Sequence, residues 1–453
     1  MSTAPLMLGV SGARGIVDET MTEAVARRFA GCWGAHLAEA SKSPTICLGR
    51  DSRPSGARFA AAAAAGLAGA GCRVVDLGVV ATPTVGVMIG ATRAAGGVVI
   101  TASHNPAEWN GLKLLDQFGT APDPDLAARI IAAFRGTDEV EVATCSGEIE
   151  QESRATDTHV SRVLGRINPM PLRDQGFNVV LDSVNGAGGP GGRLLLEYLG
   201  CDVTHLGAAA DGDFWHTPEP TEANLTGLCT AVREHGADIG FAQDPDADRL
   251  AIVDEQGRYI GEEYTLALAA WRMLLDRPGA AIVANLSTSR MIDDVAANFG
   301  SRVYRSAVGE ANVAALMRAQ EAALGGEGNG GVILPEITFV RDSLSGMALV
   351  LDLMRLEAKP LSELVDAIPR YVIVKEKIYL AARSDLDPAL AKMREGFAEA
   401  RIDDCDGIRV DLPAGWAHVR PSNTEPIARI IAEATTDGAA RELVSRVRTV
   451  TGL

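Results

Sequence analysis

The sequence has no long hydrophobic run. Its longest apolar stretch, FAAAAAAGLAGAG, is short, rich in Ala and Gly, and flanked by Arg58 and Arg73. A bilayer span needs about 20 apolar residues, so none is expected. The N-terminus, MSTAPLMLGVSGARG, lacks the basic-then-apolar pattern of a signal peptide, and a cytoplasmic location is expected. Positive charge is also in deficit: 42 Lys and Arg stand against 59 Asp and Glu, a formal net charge of −17. That balance argues against a nucleic-acid partner, which requires a basic surface. The seven cysteines (32, 47, 72, 145, 201, 229 and 405) are odd in number and never spaced C-x-x-C, so neither a disulfide framework nor a zinc cluster is indicated. There is no G-x-S-x-G elbow either, which removes the commonest serine-hydrolase signature.

What is present suits a globular protein with several cores. Of 453 residues, 47% are hydrophobic and 22% charged, and a chain this long divides into three or four domains. Internal similarity shows how. GCRVVDLG (71–78) recurs as GCDVTHLG (200–207) and more loosely as GSRVYRSAVG (300–309). Each copy follows an apolar strand candidate and a helical stretch: TICLG then FAAAAAAGLAGA, NVVLD then GGRLLLEYL, AIVANL then MIDDVAANF. A glycine closes each helix and a strand starts at once, so a strand-helix-strand unit is written three times. Each unit leads on to a polar or Gly-rich loop: TASHNP, QDPDADR and GGEGNGG. In open α/β sheets, ligands collect at the carboxyl ends of strands. From about residue 370 the pattern changes to a smaller α+β unit carrying RPSNTEP. The expected domains are 1–150, 151–255, 256–369 and 370–453.

The loops carry the chemistry. Asp244, Asp246 and Asp248 alternate, so an extended backbone turns all three carboxylates to one side, an arrangement suited to Mg²⁺. An EF-hand requires glycine where Arg249 stands, and LAIVD then fills the remaining loop with a strand. An aspartyl nucleophile following a strand stays open as a rival, and so does an acidic turn with no ligand. In TASHNP, adjacent side chains on an extended strand diverge, which argues against His104 acting as base on Ser103. A phosphoryl group carried by Ser103, balanced by a cation, fits better; a serine that only caps a helix is the plain alternative. Lys113 becomes a proton-transfer candidate if desolvation lowers its pKa, and is otherwise a surface lysine. Glu327 and Asn329 in GGEGNGG can hold sugar hydroxyls, while Arg420, Ser422, Asn423 and Thr424 offer donors to a phosphate. Arg14 and Arg249 add cationic donors.

Taken in order, SGARGIV, TASHNPAEWNGLK, DPDADR, GGEGNGGVILP and RPSNTEPIARIIAEA resemble the α-D-phosphohexomutase superfamily over essentially the whole chain. The resemblance implies three similar three-layer α/β/α domains with mixed sheets. A C-terminal α+β, TATA-binding-protein-like domain completes a central cleft. It further implies that Ser103 is the phosphoserine and shares one Mg²⁺ with Asp244, Asp246 and Asp248. His104, Asn105, Lys113, Arg14 and Arg249 would line the transfer site, Glu327 and Asn329 would hold the sugar, and Arg420, Ser422, Asn423 and Thr424 would grip the phosphate not being transferred. The implied reaction interconverts hexose 6-phosphate and hexose 1-phosphate through a hexose 1,6-bisphosphate, in a monomer or homodimer.

Two departures stand out. The usual metal loop, DGDGDR, has Pro245 and Ala247 in place of its glycines, and many members read GE-x-SGH where this chain has Asn329 for the serine and Gly331 for the histidine. The GEGNGG form resembles the archaeal-type phosphoglucosamine mutase and phosphomannomutase/phosphoglucomutase branch. Glucosamine phosphate is therefore the expected substrate, with mannose or glucose phosphate as alternatives. A sugar phosphatase using Asp244, or a non-catalytic sugar-phosphate binder, are the more distant readings.

Overall fold

The computed structural model describes residues 5–136, 147–380, 384, 386–421 and 427–453. Four sheets organise it. In the first, Thr45–Arg50 lies between Arg73–Val79 and Gly96–Ile100, all parallel. Trp109–Leu115 then returns antiparallel to Gly96–Ile100 and pairs with Gly12–Ile16. The second sheet repeats the plan: Asn178–Asp182 is parallel to Asp202–Leu206 and Ile239–Gln243, and Leu250–Asp254 returns antiparallel. In the third, Ile282–Asn285 is parallel to Val303–Ser306 and Leu324–Glu327, with Gly331–Ile333 returning antiparallel.

The three repeated GCxV-type segments are thus the edge-ward parallel strands of three equivalent units. The three polar loops are equivalent as well. Each connects the third parallel strand to its antiparallel return and so sits at a strand's carboxyl end, where ligands gather. The fourth sheet is wholly antiparallel: Val372–Tyr379, Ile427–Ala434, Gly415–Pro421, Ile408–Leu412 and Arg401–Asp403. Helices Leu386–Gly396 and Asp437–Thr451 pack on it through Met393, Val444 and Val447. Val372–Tyr379 and Arg401–Asp403 were not expected from the sequence.

Packing joins these units unequally. The second and third share one core, in which Leu181, Leu195 and Leu250 meet Leu266, Met347 and Leu351. The first has its own core, around Phe29, Trp33, Leu48 and Phe59. There Glu23–Ala40 lies close against the Ala-rich helix Gly56–Gly69; a Cβ at Gly66 would overlap the Arg27 carbonyl oxygen, so only glycine permits the approach. The fourth unit meets the third through polar contacts instead. Arg409 reaches the Leu286 carbonyl, Ser287 Oγ lies 3.0 Å from His418 Nδ1, and the Arg290 amide donates to Glu433 at 3.1 Å. Among the described residues no helix is long and apolar enough to cross a membrane.

Candidate active site

Ser103 is buried and holds a left-handed backbone, φ 51. This conformation costs a non-glycine residue roughly 1–2 kcal/mol and persists only when the surroundings impose it. Arg53 imposes it. Its side chain is fully buried, and its guanidinium donates to four carbonyls of the serine loop: Ser103 (2.6 Å), Asn105 (2.5 Å), Pro106 (2.6 Å) and Trp109 (3.0 Å). Its Nε donates to Asp51 at 3.0 Å, and Asp51 also accepts from Thr101 Oγ1 at 2.6 Å, while Thr101 Oγ1 accepts the Ser103 amide at 2.8 Å. Nothing in GRDSRPSG marks Arg53 as a side chain that closes on carbonyls some 50 residues away.

The left-handed turn corrects one expectation. With the chain no longer extended at Ser103, His104 does not point away: its Nδ1 lies 3.3 Å from Ser103 Oγ. Burial first, and then Arg249 and Arg14, push the His104 imidazole down to about 3, so it is neutral near pH 7. Its Nε2 lies 3.9 Å from Glu219 of the second unit.

The Ser103 hydroxyl also donates to Asp244 Oδ2 at 3.1 Å, which brings the first and second loops together. Asp244, Asp246 and Asp248 are fully buried, with ligand oxygens within 4.8 Å of one another. Burial, and then the neighbouring Asp248 and Asp246, drive the Asp244 carboxyl well above its ordinary value. Lys113 donates to Asp246 Oδ2 (2.6 Å) and Asp248 Oδ2 (3.1 Å), and Thr82 Oγ1 to Asp246 Oδ2 (2.7 Å). The Oδ1 atoms of Asp246 and Asp248 are buried with no hydrogen-bond partner. Buried carboxylate oxygens without partners are costly, and a hard divalent cation would satisfy them. The residues present therefore fit Mg²⁺. Pro245 and Ala247 leave the three carboxylates converging, Ala247 taking up a left-handed φ of 54 where the usual loop has glycine.

Lys113 behaves differently from expectation. Burial by itself would lower its ammonium, but Asp246 and Asp248 outweigh that and hold it above its ordinary value. Lys113, Arg14, His104, Asn105 and Lys377 line one cavity of about 500 Å³, so the fourth unit contributes Lys377 to the wall of the cavity that the serine loop also lines. Arg14 Nη1 donates to Asn105 Oδ1 at 3.3 Å, and the Arg249 amide to Asp244 Oδ1 at 3.1 Å.

The third loop closes on the second: the Leu250 amide donates to the Gly330 carbonyl at 3.0 Å. Glu327 is buried, accepting from Asn285 Nδ2 at 2.8 Å and from Arg341 Nη1 at 2.6 Å. Asn329 Oδ1 is buried without a partner and so remains open to a hydroxyl. In the fourth unit Arg420 Nε donates to Asp406 at 2.9 Å. Ser422, Asn423 and Thr424 lie outside the described residues.

Comparison with known proteins accounts for this convergence. Residues 5–141, 157–257 and 261–371 match Phosphoglucomutase/phosphomannomutase, alpha/beta/alpha domains I, II and III, and 372–450 match the C-terminal domain of the same family. The chain belongs to the phosphoglucomutase/phosphomannomutase family. It is 37% identical to a probable phosphoglucosamine mutase of Methanopyrus kandleri, over 96% of this chain and 95% of the relative. It is 36% identical to a phosphoglucomutase/phosphomannomutase of Thermococcus kodakarensis, over 96% of each. A family member from Burkholderia thailandensis superimposes with a TM-score of 0.86 at 29% identity, covering 98% of this chain and 97% of that one. Aspergillus fumigatus N-acetylphosphoglucosamine mutase, solved with GlcNAc-6P and magnesium, shares the fold at 15% identity and a TM-score of 0.62, over 99% and 95% of the two chains. Family membership makes the protein a phosphohexomutase, an isomerase acting by intramolecular phosphotransfer.

Proposed function

We propose that the enzyme interconverts glucosamine 6-phosphate and glucosamine 1-phosphate through a phosphorylated Ser103 and a 1,6-bisphosphate intermediate. The observation that carries this reading is the Ser103 hydroxyl 3.1 Å from Asp244, inside a carboxylate cluster whose Asp246 and Asp248 keep buried oxygens without a hydrogen bond. Mg²⁺ held by Asp244, Asp246, Asp248 and the Ser103 oxygen would offset the negative charge on the phosphoryl oxygens.

The chain's own groups do the rest. Arg53 fixes the serine loop so that Ser103 Oγ meets the substrate oxygen at one place. In the forward half-reaction the Oγ–P bond breaks and a bond forms from phosphorus to the free sugar hydroxyl; that hydroxyl loses its proton and Ser103 Oγ regains one. Lys113, kept charged by Asp246 and Asp248, gives a proton to Oγ and recovers one from the sugar hydroxyl, with Arg14 and Arg249 adding positive charge. Neutral His104 contacts Oγ through Nδ1; with the Oγ hydrogen given to Asp244, Nδ1–H is the donor in that contact. Glu327 and Asn329 take sugar hydroxyls, and Arg420 with Ser422, Asn423 and Thr424 takes the second phosphate. Burial of Ser103 limits loss of its phosphate to water.

The glucosamine assignment is supported by the relatives named phosphoglucosamine mutase from Methanopyrus kandleri and Methanococcoides burtonii. The Thermococcus kodakarensis relative favours a second reading, with glucose and mannose phosphates as substrates. A coupled assay on glucosamine 6-phosphate, mannose 1-phosphate and glucose 1-phosphate, with Mg²⁺ and a trace of bisphosphate, separates them. Highest kcat/KM on a neutral hexose phosphate would replace the first reading with the second. Ser103→Ala should abolish turnover and phosphate uptake by intact mass; retained activity would move the nucleophile to Asp244.

A further inference from the structure

Gly331 stands where many members of the family carry a histidine, and the structure shows what fills the space. A Cβ built at 331 would overlap Cδ of Arg341 and come 2.9 Å from its Cγ. The Arg341 stem therefore lies where a residue-331 side chain would begin, and the two cannot coexist as placed. The guanidinium it carries is buried and donates from each of its three nitrogens to a different carboxylate. Nη1 donates to Glu327 Oε2 at 2.6 Å, Nη2 to Asp248 Oδ2 at 2.5 Å, and Nε to Glu310 Oε2 at 2.9 Å. Glu327 belongs to the sugar loop and Asp248 to the acidic loop of the preceding unit, so one planar fork joins the two.

The division of oxygens is informative. Arg341 and Lys113 take Oδ2 of Asp248 and leave Oδ1 buried and without a hydrogen bond, 3.9 Å from Arg249 Nε. On Glu327, Arg341 takes Oε2 while Asn285 Nδ2 and the Gly309 amide take Oε1. A carboxylate accepts about four hydrogen bonds, and three are filled, so the orientation of Glu327 is fixed with capacity for one more donor.

We propose that Arg341 is a positioning residue that occupies the place left by Gly331 and sets both the sugar-binding carboxylate Glu327 and the cation-binding carboxylate Asp248. The role needs a planar fork whose nitrogens face different carboxylates, a geometry that the compact ammonium of lysine does not reproduce. The proposal rests on the mutase reading of the two loops.

The test uses Mn²⁺ titration calorimetry of the purified full chain, alongside KM and kcat for the best phosphosugar. Arg341→Met should weaken Mn²⁺ binding and raise KM, each by about tenfold or more, as loss of a residue orienting a metal ligand typically does. Arg341→Lys should rescue at most one of the two. Gly331→His should reproduce both defects in the wild type, yet cost less in an Arg341→Ala background where the space is free. Arg272→Met breaks a buried ion pair with Asp352 (2.5 Å) and serves as a stability-matched control with Mn²⁺ affinity and KM unchanged. The proposal is overturned if Arg341→Met moves only one of the two readouts or neither, or if Gly331→His costs the same in both backgrounds. A wild type inactive on every phosphosugar would instead sink the mutase reading and leave the Mn²⁺ result to stand by itself.

Discussion

Replacing Arg53 by methionine tests what holds the nucleophile in place. The substitution keeps an unbranched side chain but deletes a buried charge that pairs with Asp51 at 3.0 Å and ties down four carbonyls between Ser103 and Trp109. Removing one partner of a buried ion pair costs about 3–5 kcal/mol, mostly because the remaining charge is stranded. That is a large fraction of the roughly 5–15 kcal/mol that stabilises a folded domain. The left-handed Ser103 loses its restraint at the same time, so its loop should relax toward ordinary backbone angles. Equilibrium urea unfolding of the full chain, read by tryptophan fluorescence, gives the stability. Phosphate uptake from the bisphosphate, read by intact mass, gives the loop's competence. Adding Asp51→Asn relieves the stranded charge and should recover about 1–3 kcal/mol, the coupling expected for residues in direct contact. Phosphate uptake should stay depressed, since no group in the double variant reaches the carbonyls. If Arg53→Met costs under about 1 kcal/mol and takes up phosphate at the wild-type rate, the loop is held by something else.

The remaining predictions concern acid, cation and packing. His418 is fully buried; its Nε2–H donates to the Asp406 carbonyl at 2.6 Å, which leaves Nδ1 to accept from Ser287. Burial pushes it down to about 4 from an ordinary 6.5, so the unfolded chain binds the proton more readily and stability is lost as pH falls below about 6.5. Its share is about 2 kcal/mol at pH 5, and urea midpoints should fall less between pH 7 and 5 in His418→Gln than in the wild type; equal slopes would refute the assignment. Removing divalent cation with EDTA should lower the thermal midpoint, by the equivalent of about 2.7 kcal/mol relative to cation at a hundred times its Kd. Asp246→Asn should show little of that EDTA response, and an unchanged response would put the cation elsewhere. Gly66→Ala, which drives a methyl into the Arg27 carbonyl, should cost about 1–3 kcal/mol by denaturant melt, against the usual gain from alanine in a helix.

Much of this architecture is legible in local sequence. A glycine followed by a β-branched strand marks each parallel edge, and the polar loops fall at the carboxyl ends of strands because a βαβ unit leaves its ligand-binding loops there. Alternation of Asp244, Asp246 and Asp248 foretells convergence whatever surrounds it. What escaped notice depends on distant partners. Arg53 reads as an ordinary turn residue until it meets carbonyls 50 residues on, and Arg341 as a charge before a helix until it meets Asp248 across 93 residues. The charge state of Lys113 stays open in the sequence because burial and neighbouring carboxylates act in opposite directions, and only geometry tells which prevails. Ser103 and His104 were expected to diverge because a single left-handed residue reverses a side-chain direction without any local signature.

The pinning of the serine loop has a consequence for recognition. With the carbonyls of Ser103, Asn105, Pro106 and Trp109 all bonded to one buried guanidinium, Ser103, as the proposed phosphoryl carrier, would be a fixed post. On the proposed mechanism both ends of the bisphosphate would come to that post in turn, and the traveller would be the sugar. Glu327 and Asn329, in their proposed sugar-binding role, would meet the ring once from each direction, and a hydroxyl pattern acceptable in one presentation only would halt the cycle midway. Selectivity in such an enzyme is the overlap of two fits to one cavity, narrower than either fit alone.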